Sequence, residues 1–239
     1  MGEAKRRKQT GVPSSSNKRR KTWLVGGAAI ALALIAGIYL VTKPPEPDSG
    51  ALPVADPEAP PFPAEVDRFG VSVGPEDAPV VVREFADYQC PGCAAFSEAS
   101  RRLKEEYVDT GQVRFVFFDL PLRQHQNAMP AAMAARCAGD QDSYWAMHDR
   151  LFDNQSDWNS SSDPVATFSR YASDMGLDER RFRRCMTTDL HREDIEQSLQ
   201  VARQLQVART PTVIVDNIML TRPGWGQLSA VVERELVDK

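Results

Sequence analysis

A ten-residue stretch, EFADYQCPGC at positions 84–93, places two cysteines between two segments of different character. Residues 78–85 (APVVVREF) are apolar and rich in β-branched side chains, which is typical of a buried strand. Residues 91–108 read as a helix. The sequence therefore predicts that Cys90 and Cys93 lie where a strand ends and a helix begins.

This position has a chemical consequence for Cys90. The first turn of a helix carries free N–H groups and the positive end of the helix dipole, and both stabilise an anion. With Cys90 as the N-cap and Pro91 as the first helical residue, we predict that the pKa of the Cys90 thiol falls. A disulfide built on such a good leaving group is readily attacked and is strongly oxidising. Cys93 is predicted to be shielded and to act as the resolving thiol.

Three other interpretations of the C-x-x-C pair compete with a redox role. A structural disulfide is one, but so short a loop would stabilise the fold little. A zinc site is the second, but it needs two more ligands, and Cys137 and Cys185 are single cysteines rather than a second C-x-x-C. The third is a chance pair of inert thiols. We expect no metal and no organic cofactor, only a redox-active Cys90–Cys93 disulfide.

The rest of the chain gives strand and helix signals in the order β, α, β, helical block, ββ, α. Residues 113–118 read as a second strand, and residues from about 127 to 206 are helical. Strand signals return at 212–215 and 218–220, and 226–237 reads as a final helix. Because both ends of this pattern contribute strands, we predict an α/β domain of one sheet with the helical block inserted.

Charge divides the chain into a basic start and an acidic body. Residues 1–21 carry eight Lys or Arg and one acid, whereas residues 44–239 carry 20 basic and 32 acidic side chains. An acidic body argues against nucleic acid as a partner. The proline-rich segment 43–63, with eight prolines between 44 and 63, is predicted to be an extended linker. The folded domain is predicted over 64–239.

Residues 23–41 contain no charged side chain over 19 positions, which is about the length that crosses a bilayer core of ~30 Å. We predict a cytoplasmic basic tail at 1–22, a single uncleaved transmembrane helix at 23–42 and a domain on the extracytoplasmic (periplasmic or outer) face of the cell membrane. A cleaved signal peptide is the alternative, but the run exceeds the usual ~7–15 apolar residues. A second alternative is that residues 23–41 form a buried helix of a soluble domain.

The segment at 84–93 resembles the active-site segment of the DsbA-like (BdbD-type) thiol:disulfide oxidoreductases. The resemblance extends over roughly 68–239. Its other elements are Pro121, Leu122 and His125 after the second strand, the inserted helices, and Thr210 with Pro211 before a strand. It implies a thioredoxin fold with an inserted helical domain, and the exchange of disulfides with other proteins.

The resemblance also implies roles for individual residues. Pro211 matches the family's cis-proline that faces the redox pair, and Thr210 would present its backbone to an extended substrate. Glu84 matches a buried acid near the disulfide, which would exchange protons with Cys93; an edge position facing solvent is the alternative for Glu84.

Cys137 and Cys185 would form the second disulfide that related proteins often carry in this block. The alternative is two buried free thiols. Among the histidines, His148 is expected to pack on a helix, and His125 to hold the turn after the second strand.

These features predict a dithiol oxidase that introduces disulfide bonds into secreted or membrane proteins, with unfolded or reduced secreted proteins as its partners. The resemblance implies reoxidation by a membrane quinone-linked partner of the DsbB-like or VKOR-like type. Two alternatives stay open. One is a reductase or isomerase on the same scaffold, and the other is a non-catalytic binding module that its cysteines merely staple.

Overall fold

The computed structural model describes residues 51–239, so the predicted cytoplasmic tail, the transmembrane helix and the first part of the linker lie outside the described residues. Among the helices that it describes, none has both the length and the apolar character needed to cross a membrane.

A five-stranded sheet forms the centre of the described domain. Its strands are β1 (Val71–Val73), β2 (Val80–Ala86), β3 (Val113–Asp119), β4 (Thr212–Val215) and β5 (Ile218–Met219). Their order across the sheet is β1-β3-β2-β4-β5. Strands β2 and β3 pair in parallel, and every other pair is antiparallel.

Both faces of the two central strands are covered, which explains their near-continuous apolar sequences. One face of the sheet contributes Val82, Phe115 and Phe117 to the larger core cluster. The opposite face contributes Phe85 and Phe118 to the second cluster, where the two rings stack at a centroid distance of 4.4 Å. Alternate residues of each strand thus pack into different layers.

Helices cover the sheet and form the insertion between β3 and β4. The residues from 51 to 239 include eight α-helices: α1 (Pro91–Leu103), α2 (Ala128–Gly139), α3 (Tyr144–Asp153), α4 (Gln155–Trp158), α5 (Pro164–Asp174), α6 (Glu179–Thr187), α7 (Arg192–Gln204) and α8 (Trp225–Val237). Helices α2 to α7 make up the insertion. A π-helical turn, Lys104–Val108, continues α1.

This architecture is the thioredoxin fold with a helical insertion, as predicted. The sequence did not reveal the 3-10 helix Ala64–Phe69 or strand β1 that follows it. Strand β1 has only three residues, and it is followed by Gly74, whose φ of +98° suits glycine. So short a strand gives no alternation that a sequence pattern could detect.

The end of the proline-rich segment lies against the domain. The Pro53 carbonyl accepts a hydrogen bond of 2.9 Å from Arg234 of α8. The Phe62 amide donates to the Asn217 side chain at 2.7 Å, and the Phe62 ring lies 4.0 Å from the Arg83 guanidinium. The contacts of the domain therefore begin before residue 64, and Asn217 lies in the β4–β5 turn, at the end of the sheet opposite the cysteine pair.

Candidate active site

Cys90 is the N-cap of helix α1. Its backbone is extended, with φ −75° and ψ 123°, and Pro91 is the first helical residue. A hydrogen bond from the Cys93 thiol, together with the Thr210 side chain and the amides of Cys93 and Gly92, lowers the pKa of Cys90 to about 5, against the opposing effect of its partial burial. The sulfur is half-buried and therefore open to attack from one side.

Cys93 lies one turn into α1 and is fully buried. Burial raises the pKa of its thiol, and the hydrogen bond to Cys90 and the nearby Glu84 carboxyl add to that effect. In the free dithiol that the structure shows, Cys90 therefore carries the negative charge and Cys93 keeps its proton. The two sulfurs are chemically unequal, as a nucleophile and a resolving thiol need to be.

Glu84 lies in β2 on the core side of the pair and is 1% exposed. Neither oxygen of its carboxyl group finds a hydrogen-bond partner among the described residues. Burial raises the pKa of Glu84 to about 8, although the charge of Lys104 opposes the shift. Near neutral pH the group is therefore mostly protonated and can give a proton to a neighbouring thiolate. The predicted alternative, an edge position facing solvent, does not apply.

Thr210 and Pro211 precede strand β4 and lie next to Cys90. The peptide bond between them is cis. The Cys90 sulfur lies 3.7 Å from the Thr210 carbonyl oxygen. A Cβ atom at Gly92 would lie 3.3 Å from the Pro211 ring, closer than most packed carbon atoms. Glycine at position 92 thus lets the active-site turn, residues 87–93, approach the Thr210–Pro211 loop closely.

The turn that carries Cys90 is held by the buried side chain of Asp87. One carboxylate oxygen accepts a hydrogen bond of 2.7 Å from the backbone amide of Gln89. The other accepts the Leu122 amide at 2.8 Å and lies 2.8 Å from Nδ1 of His125. Asp87 therefore fastens the loop after β3 to the active-site turn, and His125 holds that loop as its sequence position suggested.

Residues 68–234 match a family model described as thioredoxin. The probable disulfide bond formation protein D of Bacillus cereus is 30% identical over 175 residues, which cover 69% of this chain and 78% of that protein. The chain belongs to the DsbA-like family of thiol:disulfide oxidoreductases.

Two further similarities put this DsbA-like chain in context. The crystal structure of oxidised BdbD from Bacillus subtilis superposes with a TM-score of 0.64 at 23% identity, over 78% of this chain and all of that one, which supports the fold. The Na(+)/H(+) antiporter NhaA 3 of Salinispora tropica is 37% identical over 155 residues. That match covers 64% of this chain but only 22% of the antiporter.

The second pair of cysteines lies in the insertion of this DsbA-like chain. Cys137 of α2 and Cys185 of α6 are joined by a disulfide with a Cα–Cα distance of 5.8 Å. His191 and Asp140 lie close to it and, with Cys185, form a group with the spacing of metal ligands. The sulfur of Cys185 is already bonded, and His191 is hydrogen-bonded to Asp140 at 3.1 Å and to Asp194 at 2.8 Å. We therefore interpret this group as a polar contact between helices.

His148 is fully buried in α3, as its apolar neighbours in the sequence indicated. Its Nδ1 atom lies 2.9 Å from the Tyr88 hydroxyl, and burial lowers its pKa well below the ordinary value. A neutral imidazole in this place supports the packing beneath the active-site turn.

Sequence reasoning missed the polar side chains that hold the turn. Asp87 and Gln89 are inside the quoted segment, yet nothing in the segment shows what they bind. Gln155 lies 62 positions beyond Cys93 and hydrogen-bonds the backbone of the turn. Such contacts depend on how the insertion folds back, and only tertiary structure reveals them.

Proposed function

We propose that the protein is an extracytoplasmic dithiol oxidase that introduces disulfide bonds into reduced secreted or membrane proteins. The observation that carries the proposal is the inequality of the two sulfurs, with Cys90 half-exposed and its pKa lowered to about 5, and Cys93 buried and protonated. A low pKa makes Cys90 the better leaving group, and a disulfide built on such a sulfur is a strong oxidant.

The reaction starts from the Cys90–Cys93 disulfide, which is itself the electron acceptor. A substrate thiolate attacks the Cys90 sulfur, the Cys90–Cys93 bond breaks, and Cys93 leaves with the electron pair. Glu84 supplies the proton that Cys93 takes up. A second substrate thiolate then attacks the substrate sulfur of the mixed disulfide, and Cys90 leaves as a stable thiolate. The substrate loses two electrons and the enzyme gains them.

The place of substrate in this proposal follows from the exposed side of Cys90. The sulfur faces the Thr210 carbonyl at 3.7 Å. An extended substrate chain that hydrogen-bonds the backbone of Thr210, beside Pro211, would place its cysteine next to Cys90. Main-chain recognition of this kind tolerates many sequences, which suits an oxidase of unfolded proteins.

The location and the reoxidising partner are also part of the proposal. The uncharged run at 23–41 with its basic flank supports a membrane anchor that keeps the domain outside the cytoplasm. Reoxidation then falls to a membrane quinone-linked partner of the DsbB-like or VKOR-like type. If the mature protein begins beyond residue 30 and is released from membranes by carbonate, the anchor is refuted.

The decisive experiment measures the oxidation of reduced, unfolded ribonuclease A by the oxidised full chain and by its Cys90→Ser variant. We expect rapid thiol loss with the wild type and none above background with the variant. Equal rates would leave only a non-catalytic binding module.

The direction of electron flow is tested by the reduction potential against glutathione. A value near about −120 mV is expected for an oxidant, and a value near about −270 mV would identify a reductase instead. Cofactor-free transfer is tested in the ribonuclease assay, because the purified chain should react at full rate with one disulfide consumed per disulfide formed.

A further inference from the structure

Gln155, the first residue of α4, reaches from the helical insertion to the active-site turn. Its side-chain amide nitrogen lies 2.7 Å from the Tyr88 carbonyl oxygen and 3.0 Å from the Cys90 carbonyl oxygen. One amide group thus donates to the backbone on both sides of Gln89. The thioredoxin scaffold does not contain this residue; the insertion supplies it.

The Cys90 carbonyl is an important atom to hold. As the carbonyl of an N-cap, it already accepts the Cys93 and Ala94 amides, each at 3.1 Å. The Cys90 amide donates to the Asp87 carbonyl at 3.0 Å. With Gln155 as a third donor, the peptide groups on both sides of the Cys90 Cα atom are fixed.

The orientation of the Cys90 carbonyl matters because its peptide group leads directly into the first turn of α1, where the amides of Gly92 and Cys93 hydrogen-bond the Cys90 sulfur. A small rotation of the first turn of α1 would turn them away from it. The amide hydrogens of Gln155 also place a partial positive charge against the carbonyl oxygens of Tyr88 and Cys90. Both effects favour the thiolate over the thiol.

The insertion holds Gln155 firmly in this position. At the other end of the same helix, the Asn159 carbonyl accepts a hydrogen bond of 2.7 Å from the Gln89 side chain. The Gln89 side-chain oxygen accepts a hydrogen bond of 2.7 Å from the backbone amide of Asn127. Helix α4 is therefore fastened to the active-site turn at both of its ends.

We propose that Gln155 is a positioning residue through which the helical insertion sets the leaving-group strength of Cys90. The inference rests on the proposed function only in assigning the exchange to Cys90. It predicts that the insertion contributes directly to oxidising power, and does not merely enlarge the surface around the redox pair.

Two variants of the full chain separate this role from simple fastening of the insertion. Gln155→Met keeps the length and volume of the side chain but donates no hydrogen bond. Gln155→Lys keeps donors and adds a positive charge. The readouts are the pKa of Cys90, from the ultraviolet absorbance of the thiolate, and the equilibrium constant with glutathione.

We expect the Met variant to raise the pKa of Cys90 by about one unit and to weaken the oxidant about tenfold in that equilibrium constant. The Lys variant should match or exceed the wild type. The inference is overturned if the Met variant behaves as the wild type, or if both variants weaken the oxidant. Loss of packing alone would move both variants in the same direction.

The matched control is Gln141→Met. The Gln141 side chain joins two parts of the insertion: its oxygen accepts from the Asp178 backbone amide at 2.8 Å, and its nitrogen donates to the Asp178 carbonyl at 3.4 Å. Neither of these hydrogen bonds involves the active-site turn. We expect this variant to lose stability without any change in the Cys90 titration. If Gln155→Met does not fold, Gln155→Asn, which is too short to reach both carbonyls, replaces it with the same expectations.

The outcome is distinguishable from failure of the proposed function. If the wild-type Cys90 itself titrates near about 8.5, the oxidase proposal fails before any variant is compared. If the wild type titrates low and oxidises ribonuclease, and the Met variant does the same, only the role of Gln155 is rejected.

Discussion

The sulfur of Cys90 lies 3.7 Å from the carbonyl oxygen of Thr210, so the reactive atom contacts the loop that is proposed to bind the substrate backbone. The Thr210 hydroxyl oxygen is buried and has no hydrogen-bond partner among residues 51–239. That hydroxyl also acts to lower the pKa of Cys90. It is therefore available to donate to the Cys90 thiolate that leaves when the mixed disulfide with substrate is resolved.

Replacing Thr210 with Val tests this contribution. The change removes the hydroxyl and nearly conserves the shape, so we expect the pKa of Cys90 to rise by about half a unit to one unit, since one hydrogen bond to a charged group contributes roughly 1 kcal/mol or more. Thiolate absorbance as a function of pH measures the shift. Thr212→Val is the control, because the Thr212 hydroxyl donates to the Arg209 carbonyl instead. An unchanged titration in Thr210→Val would exclude the hydroxyl.

The low pKa of Cys90 predicts how the stability of the reduced protein depends on pH. The folded value of about 5 lies below that of an unfolded thiol, about 8.5, so ionisation favours the folded state. This stabilisation is fully present above about pH 8.5 and is lost as the pH falls through 5. Denaturant midpoints of the reduced protein should therefore fall relative to the oxidised protein between pH 8 and pH 4.

The Cys90→Ser variant provides the comparison for that measurement. Without the thiol, its midpoint should lack the component of the pH dependence that separates reduced from oxidised protein. A reduced wild type that follows the oxidised protein at every pH would contradict the thiolate.

Glu84→Gln tests the buried acid. Its folded pKa of about 8 lies above the ordinary value near 4.3, so its contribution to stability is intact below about pH 4.3 and is lost as the pH rises through 8. The variant should remove this decline and be more stable than wild type at alkaline pH, by about 1.4 kcal/mol for each unit of the shift that is realised.

The same variant should slow oxidation, because no acid remains to protonate Cys93. We expect the oxidation rate of the variant to be lower than that of the wild type by about tenfold at pH 7. The wild-type rate should decline above about pH 8, whereas the rate of the variant should show no such decline. Stopped-flow oxidation of a dithiol peptide measures both. Glu98→Gln, on the exposed side of α1, is the control and should keep the wild-type profile.

Removing the second disulfide with Cys137→Ala and Cys185→Ala should destabilise the insertion. Its loop of 48 residues gives about 4 kcal/mol at most on the chain-entropy model. Thermal unfolding should therefore begin at a lower temperature, whereas the titration of Cys90 should stay the same. A stability equal to wild type would mean that the bond is dispensable for folding.

The sequence predicts the parts of this fold that rest on local patterns. Strands β2 and β3 are mostly apolar and rich in Val and Phe, although β2 contains Arg83 and Glu84, and Cys90 followed by Pro91 is a recognisable helix start. Resemblance supplied the expected places of Glu84 and Pro211. The depth of burial of Glu84 was not readable, because an acid within an apolar strand faces solvent in some sheets and the core in others.

The polar contacts around the turn were out of reach for a different reason. Asp87 binds residues about 35 positions away, and Gln155 binds a turn 65 positions before it. Neither spacing matches a helix or strand period, so no single sequence can indicate them. They arise only after the insertion has packed against the sheet.

The clasp formed by Pro53 with Arg234 and by Phe62 with Asn217 has a practical consequence. It brings the chain into the domain at the corner of the sheet remote from Cys90. A fluorophore, a resin or a fused protein joined at that corner leaves the reactive sulfur unobstructed. The domain is thus suited to use as an attached module, which can be immobilised without losing access for large unfolded polypeptides.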